Sequence, residues 1–202
     1  MRRVFLAAVL VLALSLAASA KDVEFTDHSG TLTGSAAGLT LIGSQLTEVD
    51  GLGGLGLIQG TLGSVSFTTG MLTSGSLMNG GTFAAGGTFI ITGNGTGGIP
   101  NGVIFSGTFS SPVGWTEVTS NGVISYILDG AVSGTWYNGT NVNGATTLIG
   151  ISAGKSGFTG SLALDSGETI LNTSVVPEPG TLLLLGTGLV GLAGIVRKKT
   201  KA

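Results

Sequence analysis

Few residues in this chain have types and spacing that could do chemistry. Gly150-Ile151-Ser152-Ala153-Gly154 has the G-x-S-x-G spacing that presents a nucleophilic serine on a sharp strand-to-helix turn. That chemistry also needs a histidine after the acid in chain order. The single histidine, His28, lies far upstream, and no helical pattern follows Gly154. Glu48/Asp50 and Asp165/Glu168 are acid pairs of the kind that hydrolyse glycosides. Each pair flanks a glycine turn, where acids commonly face water. Asp165-Ser166-Gly167-Glu168 also offers oxygens to Ca²⁺ but falls short of a full ligand set. His28 beside Asp27 and Glu24 lacks a third good metal ligand at workable spacing, so a solvated N-terminal segment is expected there. Gly51-Leu52-Gly53-Gly54-Leu55-Gly56 has dinucleotide-fingerprint spacing. It has no following helix to aim at a pyrophosphate, and no acid follows it until Glu117 within the central region beyond that turn. Trp115, Tyr126, Trp136 and Tyr137 are the residue types of a sugar-stacking platform, with Tyr137 the best placed because alternation sends Trp136 to the apolar face. No catalytic, metal-binding or cofactor-binding residue is assigned, and the chain is expected not to be an enzyme.

The elements that would position such residues are strands. Glycine makes up 33 of the 156 residues from 21 to 176, yet aromatic and branched residues persist and alternate. Val103, Phe105, Gly107 and Phe109 are assigned to one face, opposite Ser106 and Thr108. Val132, Gly134 and Trp136 oppose Ser133, Thr135 and Tyr137, and Phe158, Gly160, Leu162 and Leu164 oppose Thr159, Ser161 and Ala163. Period two in such residues predicts half-buried strands. A loose theme, apolar-x-Gly-Thr/Ser-apolar, recurs about Gly60, Gly87, Gly107, Gly134 and Gly160, with a weaker copy at Gly30, and is expected to mark every second strand. Asn-Gly at Asn79, Asn94, Asn101, Asn121, Asn138 and Asn143, and Asp-Gly at Asp50 and Asp129, supply turn chemistry. Asn121-Gly122 is expected to close a hairpin, and Asp129-Gly130 to turn the next strand. Gly51–Gly56 and Gly93–Gly98 read as loops. The predicted fold is all-β, an antiparallel meander forming a sandwich or a barrel over residues 21–175. Asn94, Asn138 and Asn172 begin N-x-Ser/Thr sequons and are read first as turn residues.

The two ends differ in kind from this middle. Arg2 and Arg3, an apolar run from Val4 to Leu16, and Ala18-Ser19-Ala20 follow the plan of a secretory signal peptide over residues 1–20. Ala18 and Ala20 supply the small residues for cleavage, and the Sec machinery and signal peptidase are the implied partners. Residues 21–176 hold two basic residues against nine acidic ones, a formal charge of −7, whereas the whole chain carries −2. So acidic a region has no electrostatic footprint for nucleic acid. Cysteine is absent, which excludes disulfides and thiolate metal sites. From Thr181 to Val196 no charge occurs, and Arg197, Lys198, Lys199 and Lys201 follow. A helix of that length is about 24 Å, a little short of the ~30 Å hydrocarbon core. The basic cluster is a cytoplasmic stop by the positive-inside rule. Pro177 and Pro179 mark the outer boundary of the expected transmembrane helix 181–196.

Val176-Pro177-Glu178-Pro179, the run Thr181-Leu182-Leu183-Leu184-Leu185-Gly186, then Gly188 to Ala193 and the basic cluster together resemble the PEP-CTERM sorting signal. The resemblance covers residues 176–202. Gly180 stands where Ser or Ala is common in the family, and Lys outnumbers Arg in the basic end. The resemblance implies recognition of Pro177, Glu178 and Pro179 by exosortase, a membrane-embedded processing enzyme. It also implies passage through the inner membrane of a Gram-negative bacterium, and release to the cell surface or extracellular matrix. Carriers of such tails are often found in species that make exopolysaccharide and biofilm. A structural or adhesive protein associated with exopolysaccharide is therefore expected. The alternatives are a secreted polysaccharide- or ester-hydrolysing enzyme and a permanently anchored, periplasm-facing module.

Overall fold

The computed structural model describes residues 21–173, and residues Asp22–Thr173 form one compact unit. Residues 1–20 and 174–202, with the expected span 181–196, lie outside the described residues. Among the described residues no helix is long and apolar enough to cross a membrane.

The described chain is all-β. Its strands are β1 Lys21–His28, β2 Thr31–Ser35, β3 Gly38–Asp50, β4 Ile58–Thr68, β5 Leu72–Ser76, β6 Gly80–Phe83 and β7 Gly86–Asn94. They continue with β8 Asn101–Phe109, β9 Val113–Ser120, β10 Val123–Trp136, β11 Asn141–Gly154, β12 Ser161–Ala163 and β13 Ser166–Thr173. Eight of them close a hydrogen-bonded ring in chain order: β1, β3, β4, β7, β8, β10, β11, β13 and back to β1. The pairings around the ring are antiparallel, so this is an up-and-down barrel. Closure matters because it removes the free edges that a sandwich would leave.

The other five strands extend the barrel at one end. Along one edge of β10, Val123–Asp129 pair with β9 and Val132–Trp136 pair with β8. Along β3, β1 and β2 likewise occupy successive stretches of one edge. β6 joins β9 to β5, and β12 pairs with β2. The long strands β3, β10 and β11 thus serve both the ring and its extension. The alternating strand directions leave the start of β1, the end of β13 and loops 51–57, 95–100 and 137–140 at one end, hereafter the chain-end rim. Turns 36–37, 77–79, 121–122 and 155–160 lie at the far end.

The barrel is apolar inside. Phe67 and Phe89 stack at 5.8 Å, and Phe109 meets both edge-on at 5.5 and 5.7 Å. Phe25 meets Trp136 at 5.9 Å. Gly107 and Gly134 face each other on β8 and β10, and a Cβ on Gly134 would collide with the Ser106 carbonyl. A Cβ on Gly107 would come within 2.7 Å of the Phe105 ring, which covers this glycine pair. Outside, rows of short polar side chains cross the strands. Thr40 lies opposite Thr68, and Thr68 opposite Thr88; Thr108, Ser133, Asn143 and Asn172 form a second row. This polarity is opposite to that of a membrane barrel, whose outer wall is apolar.

Several expectations are corrected. Asn121-Gly122 does close the β9–β10 hairpin, with φ of 52° and 74°. Asp129-Gly130 is no turn. It lies inside β10 where the strand changes partner from β9 to β8, and the Phe109 ring fills the space beside Gly130. Asn143-Gly144 lies inside β11. Val103 is exposed, because a register shift at Ile104 puts both Ile104 and Phe105 inside. The recurrent glycine theme does not mark every second strand, since Gly87 and Gly107 stand on adjacent strands β7 and β8.

Candidate functional site

Alternation along β1 sends Val23, Phe25 and Asp27 inward, so an acid enters the core. This corrects the expected solvated segment, for Asp27 is 1% exposed. On β3, the extra residue at Ile42-Gly43 turns Ser44 inward as well. The Ser44 hydroxyl donates to Asp27 Oδ2, whereas Oδ1 has no hydrogen-bond partner. Oδ1 instead abuts Gly167 of β13; a Cβ there would lie 2.6 Å from it. Burial pushes the Asp27 carboxyl above its ordinary value of 3.8, against the opposing pull of the Ser44 hydroxyl, His28 and a backbone hydrogen bond. A buried carboxyl held above its ordinary value thus sits at the seam where β1 meets β13. His28 itself is exposed, and its Nδ1 lies 3.1 Å from the Asp165 carbonyl oxygen, which only accepts, so Nδ1 carries the proton. The Val23-Phe25-Asp27 alternation was the sequence signal that would have located this buried acid.

The other acids lie on the outer wall. Glu24 is opposite Asp50, and Thr26 is opposite Glu48, which accepts from Gln59 Nε2. Asp22, Glu24, Glu48 and Asp50 therefore cluster near the chain-end rim. Asp165 is exposed ahead of β13, and Glu168 faces Thr147 of β11. The two acid pairs are thus separated by β1. Among the described residues no group of three or more His, Asp or Glu side chains is arranged to hold a metal ion. Ser152 lies within β11 opposite Ser125, with no strand-to-helix turn. Gly51 to Gly56 form a short 3₁₀ turn and loop, as do Gly95 to Gly98, and the two have nearly the same backbone. Each begins on a left-handed glycine, with φ of 80° and 83°, and Gly97 packs on Ile58.

The four aromatic candidates divide. Trp115 and Tyr126 are buried and stack at 4.5 Å, with Phe158 edge-on to Trp115 at 5.7 Å. Trp115 Nε1 donates to the Leu77 carbonyl at 2.8 Å. The Tyr126 hydroxyl donates to the Met78 carbonyl at 2.6 Å and accepts from Phe158 N–H at 3.0 Å. Trp136 is core, and Tyr137 alone is outside, 49% exposed. Asn94 and Asn138 accept from the backbone N–H two residues on, at 3.0 Å each, which is the turn role read for them. Asn172 lies in β13 instead.

The remaining assigned residues lie outside the described residues: Ala18 and Ala20 at the cleavage site, Pro177, Glu178 and Pro179 in the sorting signal, and Arg197, Lys198, Lys199 and Lys201 in the stop. No curated protein and no solved structure matches the chain. Residues 175–198 do match a family model, and it is that of the PEP-CTERM protein-sorting motif: the tail is an exosortase sorting signal, the mark of an exported protein.

Proposed function

We propose that the chain is a non-enzymatic structural or adhesive protein of the cell surface or extracellular matrix of a Gram-negative bacterium. In this reading the Sec machinery exports it and signal peptidase cuts after Ala20. The 181–196 span then halts it in the inner membrane, and exosortase releases the barrel after reading Pro177-Glu178-Pro179. The observation that carries the reading is the sorting motif at 175–198, placed directly after a closed polar-walled barrel. Contact with exopolysaccharide is supported by the rows of Thr, Ser and Asn across the wall. Neighbouring strands put such hydroxyls and amides about 4.8 Å apart, a repeat suited to a hydroxyl-rich polymer.

Replacing Pro177, Glu178 and Pro179 together by alanine tests the reading. The expected result is accumulation in the inner membrane with Arg197 to Ala202 intact by mass spectrometry, whereas the unaltered protein is released without them. Equal release of the two in a strain that has exosortase would overturn it. Co-sedimentation with the host's exopolysaccharide tests the second half, and no enrichment over an unrelated β-protein would remove that part.

A further inference from the structure

The chain-end rim gathers exposed apolar side chains on neighbouring loops. Loop 51–57 reads Gly-Leu-Gly-Gly-Leu-Gly-Leu, and loop 95–100 reads Gly-Thr-Gly-Gly-Ile-Pro; neither holds a charge. Leu57 is 59% exposed and Leu55 40%. Leu55 packs beside Gly98 of the neighbouring loop, so the two loops make one surface. Tyr137 is exposed on the third loop of the same rim, with Trp136 behind it at 5.8 Å. Leucines on charge-free glycine loops with an adjacent exposed tyrosine are the chemistry of shallow insertion at a bilayer interface.

Thr173 ends β13 at this rim, and the uncharged run begins at Thr181. Eight residue steps reach at most about 28 Å, so a span seated in the bilayer holds this rim within reach of the lipid headgroups. The far-end turns are separated from Thr173, the end of β13, by the full length of the barrel strands. Asp22, Glu24, Glu48 and Asp50 stand on the wall beside the rim, which disfavours an anionic lipid surface.

We infer that the rim formed by loops 51–57, 95–100 and 137–140 docks on a zwitterionic lipid bilayer surface, inserting Leu55, Leu57 and Tyr137 among the headgroups while the tail is in place. This rests on the reading of 181–196 as a membrane span. The test uses the whole chain in phosphatidylcholine vesicles, and the absence of native cysteine allows single-site labelling. Leu57→Cys and Tyr137→Cys report the rim; Met78→Cys, equally exposed and apolar but at the far end, is the control. Each carries an environment-sensitive nitrobenzoxadiazole probe. The expected result is a blue shift and quenching by headgroup-proximal nitroxide lipid at 57 and 137, with neither at 78. Rim probes that stay in water while the protein floats with the vesicles would overturn the inference and leave the anchor standing. Equal shifts at all three sites would overturn it too, since adsorption would then follow apolarity and not position. Protein that fails to float would overturn the anchor and the docking together.

Discussion

Two buried polar side chains, in two regions of one barrel, are treated in opposite ways. In the extension, Tyr126 has both roles of its hydroxyl filled by backbone groups and its ring sandwiched against Trp115. The partners come from the 77–79 turn and from the loop ahead of β12, so one side chain fastens two distant segments. At the seam of the ring, Asp27 has one oxygen bonded to Ser44 and the other bonded to nothing. A satisfied buried polar group fixes a unique geometry, while an unsatisfied one costs free energy every time the barrel closes. The extension is therefore the rigid region, and the β1–β13 seam, where the two chain ends meet, is the weak one.

The largest effect that would break this contrast is in the extension. Trp115→Ala removes a stacked core ring and the donor to Leu77, and is expected to cost about 3–5 kcal/mol in urea denaturation followed by circular dichroism. A loss under 1 kcal/mol would show that the extension is not the rigid part. Tyr126→Phe keeps the ring but leaves the Met78 carbonyl and the Phe158 N–H without their partner, at an expected cost of about 1–3 kcal/mol. At the seam, the direction reverses. A carboxyl whose native pKa is raised contributes its full stability below the ordinary value of 3.8 and loses it as pH rises through the raised value. Asp27→Asn cannot ionise, so at pH 8 it is expected to be more stable than the unaltered protein. The advantage should fade to nothing below pH 3.8, where both side chains are neutral. Destabilisation by Asp27→Asn at pH 8 would mean that the seam accommodates the charge and is not weak.

How much of this was legible in the sequence varies with the range of the interactions involved. The Val132-Gly134-Trp136 alternation and the Asn121-Gly122 turn are local, and both stand in the structure. Asp129-Gly130 has the same turn chemistry yet lies inside β10, because packing of Phe109 against Gly130 rewards a continuous strand. Simple alternation places Val103 on the inner face, but a single bulged residue, Ile104, breaks the pattern and leaves Val103 outside. An acid near a chain terminus reads as solvated; the place of Asp27 inside depends on Ser44 and Gly167, 17 and 140 positions away.

By itself the sequence determined the strand content, the hairpin at Asn121-Gly122 and the sorting tail. These depend on side-chain period, on positive φ at one turn and on a contiguous order of Pro-Glu-Pro, apolar run and basic residues, all of which act within a few residues. Tertiary structure alone decided that the sheet closes into a ring, that Trp115 and Tyr126 are core, and that loops 51–57, 95–100 and 137–140 share one rim. Those outcomes follow from strand register between segments far apart in the chain, and no local pattern carries that information.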